Sequence, residues 1–152
     1  MRGQEAREQA GRKALMTTLA HAAADEIARL WNESGLPSEA ELLRGPETGL
    51  VTVRGRIGGG APFNVGEATV TRATVRLPTG QVGHSCALGR DKGKAKLAAI
   101  ADALWQDPAQ REAIETKLAA PLRAALDAAR ETRRVETAAT KVDFFTMVRG
   151  ED

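Results

Sequence analysis

Arg54 and Arg56 stand two residues apart in Leu50-Val51-Thr52-Val53-Arg54-Gly55-Arg56-Ile57, a run that alternates apolar and polar residues. In an extended chain that spacing puts both guanidinium groups on one face, with Thr52, and puts Val51, Val53 and Ile57 on the other, as in a half-buried strand whose solvent face carries the arginines and whose apolar face is buried. A guanidinium fork matches the oxygens of phosphorus oxyanions. The pair is therefore a candidate anion site, and Arg72 or Arg76 could join it from a neighbouring strand. The competing reading is a solvated or interface-paired sheet face. Arg90-Asp91-Lys92-Gly93-Lys94 adds Arg90 and Lys92 at a strand-to-helix junction, where helix N–H groups favour negative charge. Gly58-Gly59-Gly60 is not a phosphate loop, because Pro62 and Phe63 follow it rather than a helix opening with Lys-Ser/Thr. It reads as a hairpin turn, whose backbone N–H groups could also meet an anion beside Arg54 and Arg56.

Other chemistry is poorly supplied. The chain has two histidines, His21 and His84, and one cysteine, Cys86. His84 and Cys86 share a strand face and could give two metal ligands, but no third or fourth lies nearby in sequence, so no metal is expected. Two residues of separation also fails to make a nucleophile–base pair, and Cys86 reads as structural. The net charge is only +2, and aromatic residues make up 3% of the chain. Nucleic-acid binding would need more of both. Between residues 40 and 90, six arginines face three glutamates, so an anionic ligand should meet the chain there.

The elements that must position these residues change period twice. Leu15, Met16 and Leu19, then Ile27, Leu30 and Trp31, recur at helical spacing, as one bent helix or two. Asn32, Ser34, Gly35 and Pro37 end that segment. The middle alternates as strands joined by short turns at residues 58–62 and 78–80, which implies an antiparallel sheet. Ala68 and Val70 differ in parity from Ala73, Val75 and Leu77, predicting a register break near Thr71-Arg72. Helix resumes at Asp91, a candidate N-cap, with a stripe from Lys94 to Leu104. Asp107-Pro108 opens another helix, and Pro121 begins or kinks a third that runs to about residue 139 with few large apolar residues. The expected fold class is α+β: a small antiparallel sheet at about residues 40–90, packed with N-terminal and C-terminal helices. Residues 1–152 read as one domain, with 1–11 a candidate for disorder.

The chain closes on Val142-Asp143-Phe144-Phe145-Thr146-Met147-Val148-Arg149-Gly150, which is apolar where termini are usually polar. Such a tail must dock on its own core or on another chain. Phe144, Phe145, Met147, Val148 and Arg149 are accordingly candidate partner contacts. A core built from Leu, Val, Ile and much Ala buries little area per side chain, so help from a partner is expected. A single cysteine, no apolar signal segment and no stretch near 20 apolar residues point to the cytoplasm, away from membranes.

Five ordered blocks carry a resemblance. They are Glu47-Thr48-Gly49-Leu50-Val51, Arg54-Gly55-Arg56-Ile57-Gly58-Gly59, Gly66-Glu67-Ala68-Thr69-Val70-Thr71-Arg72-Ala73, Gly89-Arg90-Asp91-Lys92, and the closing block from Val142 to Gly150. Together they resemble the PhnG family of the bacterial carbon–phosphorus lyase system, over roughly residues 12–152. The first ten or so residues and the stretch 122–139 match only in character. The resemblance implies a subunit that acts with PhnH-, PhnI- and PhnL-type companions. Their joint reaction displaces adenine from MgATP with an alkylphosphonate, giving an α-D-ribose 1-alkylphosphonate 5-triphosphate. It implies a PhnJ-type radical-SAM partner that holds the iron–sulfur cluster, and nucleosidase chemistry in the PhnI-type partner. No cofactor is expected on this chain alone. No catalytic residue carries over, so an accessory role is implied, with an anion-binding role for the arginines as the alternative.

Overall fold

The structure, a computed structural model, describes residues 2–141. The tail contacts expected at Phe144, Phe145, Met147, Val148 and Arg149 lie outside the described residues. The chain opens with two helices, α1 (Arg2–His21) and α2 (Ala24–Ser34), broken at residues 22–23. α1 thus includes residues 2–11. Gly35 closes α2 in the left-handed conformation at φ 66°, which costs glycine little. Three strands follow: β1 (Glu41–Gly55), β2 (Phe63–Arg76) and β3 (Val82–Leu88), antiparallel in the order β1-β2-β3. α3 (Lys92–Gln106) and α4 (Pro108–Ile114) come next. A π-helical stretch at Glu115–Ala119 then leads into α5 (Ala120–Ala139). The architecture is the expected α+β.

The caps behave as the residue types dictate. Asp91 accepts the Lys94 N–H at 2.7 Å, and Asp107 accepts the Ala109 N–H at 2.9 Å. Pro121 sits in the first turn of α5, directly after the π-helical stretch. Proline has no N–H to give and crowds the carbonyl of the preceding turn, and a π-helical turn relieves that conflict without ending the helix. Only Leu122 of α5 is buried.

The helices cover one face of the sheet. α3 runs back along β3 and packs on β2 and β3, α1 and α2 pack on α3, and the π-helical stretch packs on α1 and α2. Leu15, Leu19, Ile27, Val75, Ile100 and Leu118 are fully buried between these layers. Alanines on α3 allow a close approach to the sheet, and Gly83 completes it. A Cβ on Gly83 would stand 2.0 Å from the Ala99 carbonyl oxygen and 2.6 Å from the Ala103 nitrogen.

Two sequence expectations need correction. β2 itself continues through Thr71-Arg72, since Val70–Arg76 pairs with β3 without interruption, and the register shift beside Arg72 lies in the facing strand, where Arg44 and Glu47 meet Thr74 and Arg72. The irregularities lie in the pairing of β1 with β2, at Leu42/Arg44, Arg44/Glu47 and Val53/Arg54. Pro46 explains the second: it cannot donate to the ladder and is tolerated in a bulge on an edge strand. The parity change in β2 instead marks two faces, with Thr71, Ala73 and Val75 on the core side.

The second correction concerns Val51, Val53 and Ile57, expected on a buried face. The alternation is present, but among the described residues no other element covers it. Val51 and Val53 are 43% and 42% exposed, and Ile57 is 79% exposed. β3 pairs only with Val70–Arg76, so residues 63–69 of β2 pair with β1 alone. Residues 50–69 therefore form a two-stranded arm that extends past the end of β3.

Candidate functional site

The residues singled out from sequence are spread along this sheet. Arg54 lies near the end of β1, paired with Asn64, and Arg56 follows in the turn beyond the strand. Arg72 lies eight residues along β2 from Asn64, which is about 26 Å in an extended strand. Arg90 occupies the bend after β3, and Lys92 is the first residue of α3. The structure brings Arg54 and Arg56 together at the tip of the arm, and places Arg72, Arg90 and Lys92 at its base. Among the described residues, Arg54, Arg56, Arg90 and Lys92 have no ion-pair partner, whereas Arg72 is engaged. Its Nε donates to Glu47 Oε1 at 2.6 Å, and Arg44 reaches the same oxygen at 2.6 Å. The hydrogen bond from Arg72, with the charge of Arg44, holds the Glu47 carboxyl below the usual carboxylate range. Arg76 pairs with Glu41 at 3.5 Å.

His84 and Cys86 are exposed on the sheet face away from the helices. His84 Nδ1 lies 3.2 Å from Thr74 Oγ1, and Cys86 pairs across the strands with Arg72. Among the described residues there is no group of three or more His, Cys, Asp and Glu able to hold a metal ion. No described helix is long and apolar enough to cross a membrane.

Sequence reasoning missed the most buried charge. Asp102 sits on α3, 1% exposed, and accepts two bonds from Arg12 of α1: Nε at 2.6 Å and Nη2 at 2.7 Å. It also accepts the His84 backbone N–H at 2.9 Å, so one carboxylate ties α1, α3 and β3 together. The hydrogen bonds that Arg12 donates to Asp102 raise the Arg12 pKa against the opposing effect of burial. The available signal was an aspartate inside the apolar run Ala99-Ile100-Ala101-Asp102-Ala103-Leu104. Lys94 has a similar fastening role. Its ammonium donates to the Ala20 and Ala22 carbonyls at 2.8 and 2.7 Å, closing the end of α1, and burial lowers its pKa.

The outer face of the sheet divides into two zones. Its inner zone is polar and ion-paired, through Arg72 with Glu47 and Arg76 with Glu41. Its outer zone, on the arm, is apolar. Alternation along β1 puts Val51, Val53 and Gly55 on this face, and Ala68 lies across from Val51. A Cβ on Gly55 would stand 2.8 Å from Val65 Cγ2 and 3.9 Å from Phe63 Cζ, so both of those side chains lean over Gly55. Leu88, opposite Val70, is 73% exposed at the edge of the zone. Large exposed apolar zones on otherwise polar proteins mark interaction surfaces.

The fold defines a small α+β protein with a three-strand sheet, a helical layer on one face and an apolar arm that no other described element covers. A family model described as phosphonate metabolism protein PhnG matches residues 10–150. The chain is 56% identical, over 144 residues, to the alpha-D-ribose 1-methylphosphonate 5-triphosphate synthase subunit PhnG of Rhizobium meliloti (strain 1021). That match covers 94% of this chain and 92% of the relative. The chain belongs to the PhnG family.

Proposed function

We propose that this chain is a subunit of a carbon–phosphorus lyase complex. In this reading it acts with PhnH-, PhnI- and PhnL-type companions to move the ribose 5-triphosphate of MgATP onto an alkylphosphonate, releasing adenine. Its part is accessory: it positions companions that carry the reacting groups, while a PhnJ-type partner holds the iron–sulfur cluster and SAM. The carrying observation is the match along 94% of the chain to a named synthase subunit. The exposed arm agrees with a role in assembly. The tail at Phe144, Phe145, Met147, Val148 and Arg149 is proposed as a second contact.

The test is reconstitution. Tagged chain co-expressed with the three companions should retain them through purification. Omitting the chain should abolish adenine release from MgATP and methylphosphonate. Full activity without the chain would refute the role. A second reading makes Arg54 and Arg56 part of the triphosphate or phosphonate site, which their lack of ion pairs favours. Arg54→Ala with Arg56→Ala should then weaken MgATP or phosphonate binding in an intact complex. Loss of assembly instead would make them contact residues.

A further inference from the structure

We infer that the groove between α1 and the outer edge of β3 is an anion site distinct from the arm, built on Arg12 and Lys13 and suited to the oxygens of a phosphoryl or phosphonyl group. The inference stands on this chain's own residues. Only its link to MgATP and an alkylphosphonate rests on the subunit reading above.

The groove has a volume of about 320 Å3 and is lined by Gln9, Arg12, Lys13, Met16, His84 and Asp102. Arg12 is fixed there before any ligand arrives. Asp102 takes its Nε and Nη2 at 2.6 and 2.7 Å, and among the described residues its Nη1 makes no bond. A guanidinium already held in one geometry gives up little freedom when it binds an oxyanion. Lys13 is exposed and has no ion pair among the described residues. Its neighbours one turn away on α1 (Gln9, Ala10, Met16 and Thr17) include no acid.

The carboxylates nearby are already engaged. Asp102 is taken up by Arg12 and by the His84 N–H. Glu8 is bound by Arg111 at 3.2 Å, and Asp127, on the α5 side of Lys13, is bound by Arg130 at 3.2 Å. Glu5 lies on the far side of Arg12, toward Trp105, about 10 Å back along the helix. Glu47 is held between Arg44 and Arg72. The groove is therefore left with donors: Arg12 Nη1, the Lys13 ammonium and the Gln9 amide. Residues 9, 12 and 13 share one helix face, so these groups can converge on one ligand. A carboxylate brings two oxygens to three donors, whereas a phosphoryl or phosphonyl group brings three and a larger charge. His84 lines the facing wall, its Nδ1 3.2 Å from Thr74 Oγ1.

The experiment titrates the nitrogen-15-labelled full chain with inorganic tripolyphosphate and, in a parallel sample, with methylphosphonate, followed by NMR. The Arg12 Nε–H and the His84 amide, both bonded to Asp102, should shift with at least one of them. A shift with tripolyphosphate alone assigns the groove to a triphosphate, and one with methylphosphonate alone to a phosphonate. Lys13→Glu should weaken that binding about 10-fold or more, with the urea midpoint unchanged. Should the glutamate disturb α1, Lys13→Gln keeps the helix and should still weaken binding. Unchanged affinity in a folded Lys13 variant would overturn the inference. So would shifts confined to the surroundings of Arg54 and Arg56, equal shifts with sodium chloride at the same ionic strength, or no shift at millimolar anion. If the wild-type chain retains no companion in the reconstitution above, the subunit reading fails and this titration still stands. If it retains them and the groove binds neither anion, only this inference fails.

Discussion

The Arg12–Asp102 pair permits a quantitative test, because its two halves are unequally buried. The Asp102 side chain is 2% exposed, and that of Arg12 is 40% exposed. Replacing Arg12 with Met removes both of the guanidinium bonds and leaves a carboxylate in the protein interior with one remaining donor, the His84 N–H. Breaking a buried pair from one side costs about 3–5 kcal/mol. Replacing Asp102 with Ala frees Arg12 to turn into water but strands the His84 N–H, at about 1–3 kcal/mol for the lost acceptor. The first substitution should therefore destabilise more than the second. The double variant should cost less than the two singles added, since removing Asp102 also removes the charge that Arg12→Met would strand. Urea unfolding of the full chain, followed by circular dichroism, reads all four proteins with a common slope. A double variant whose cost equals the sum within about 0.5 kcal/mol would refute the coupling. Asp102→Ala costing more than Arg12→Met would refute the argument from unequal burial.

Gly83→Ala should destabilise by at least about 1–3 kcal/mol, because the new Cβ meets backbone atoms of α3 that cannot swing aside; the urea midpoint checks it, and an unchanged midpoint would show that α3 can shift freely. The Glu47 carboxyl should titrate by NMR below an ordinary glutamate, and Arg72→Ala should raise its midpoint. Because the folded value is the depressed one, the stability linked to Glu47 is present above the ordinary glutamate pKa and fades as pH falls through the folded midpoint. The pair is exposed, so added salt should shrink the effect. Lys94→Met should fray the end of α1, seen as faster amide exchange around residues 18–22, because the Ala20 and Ala22 carbonyls lose their donor; unchanged exchange there would count against that fastening role.

Local rules made much of this fold legible. Asp91 and Asp107 announce helix starts because a short acceptor next to a helical run can hardly do anything else. Gly35 announces an end because it accepts φ 66° at little cost. Long-range relations were not legible. Arg12 and Asp102 are 90 residues apart, and only folding brings them to 2.6 Å. A charge inside an alanine run was the only trace, and it says that a partner exists without saying which. The parity change in β2 records the two faces of one strand, whereas the register irregularities belong to its pairing with β1, where Pro46 interrupts the ladder.

Burial is where sequence periodicity and structure part, and the difference bears on function. Alternation in residues 50–57 records which side chains point together, not what lies over them. Covering is supplied by other elements, and among the described residues none reaches the arm. The same pattern in β3 has Gly83, Ser85 and Ala87 pressed on α3, and there alternation and burial coincide. A strand that keeps an apolar face where its own chain provides no cover carries an exposed edge and an exposed face together, which favours aggregation unless something binds it. The arm therefore carries an apolar face that no other described element of the chain covers.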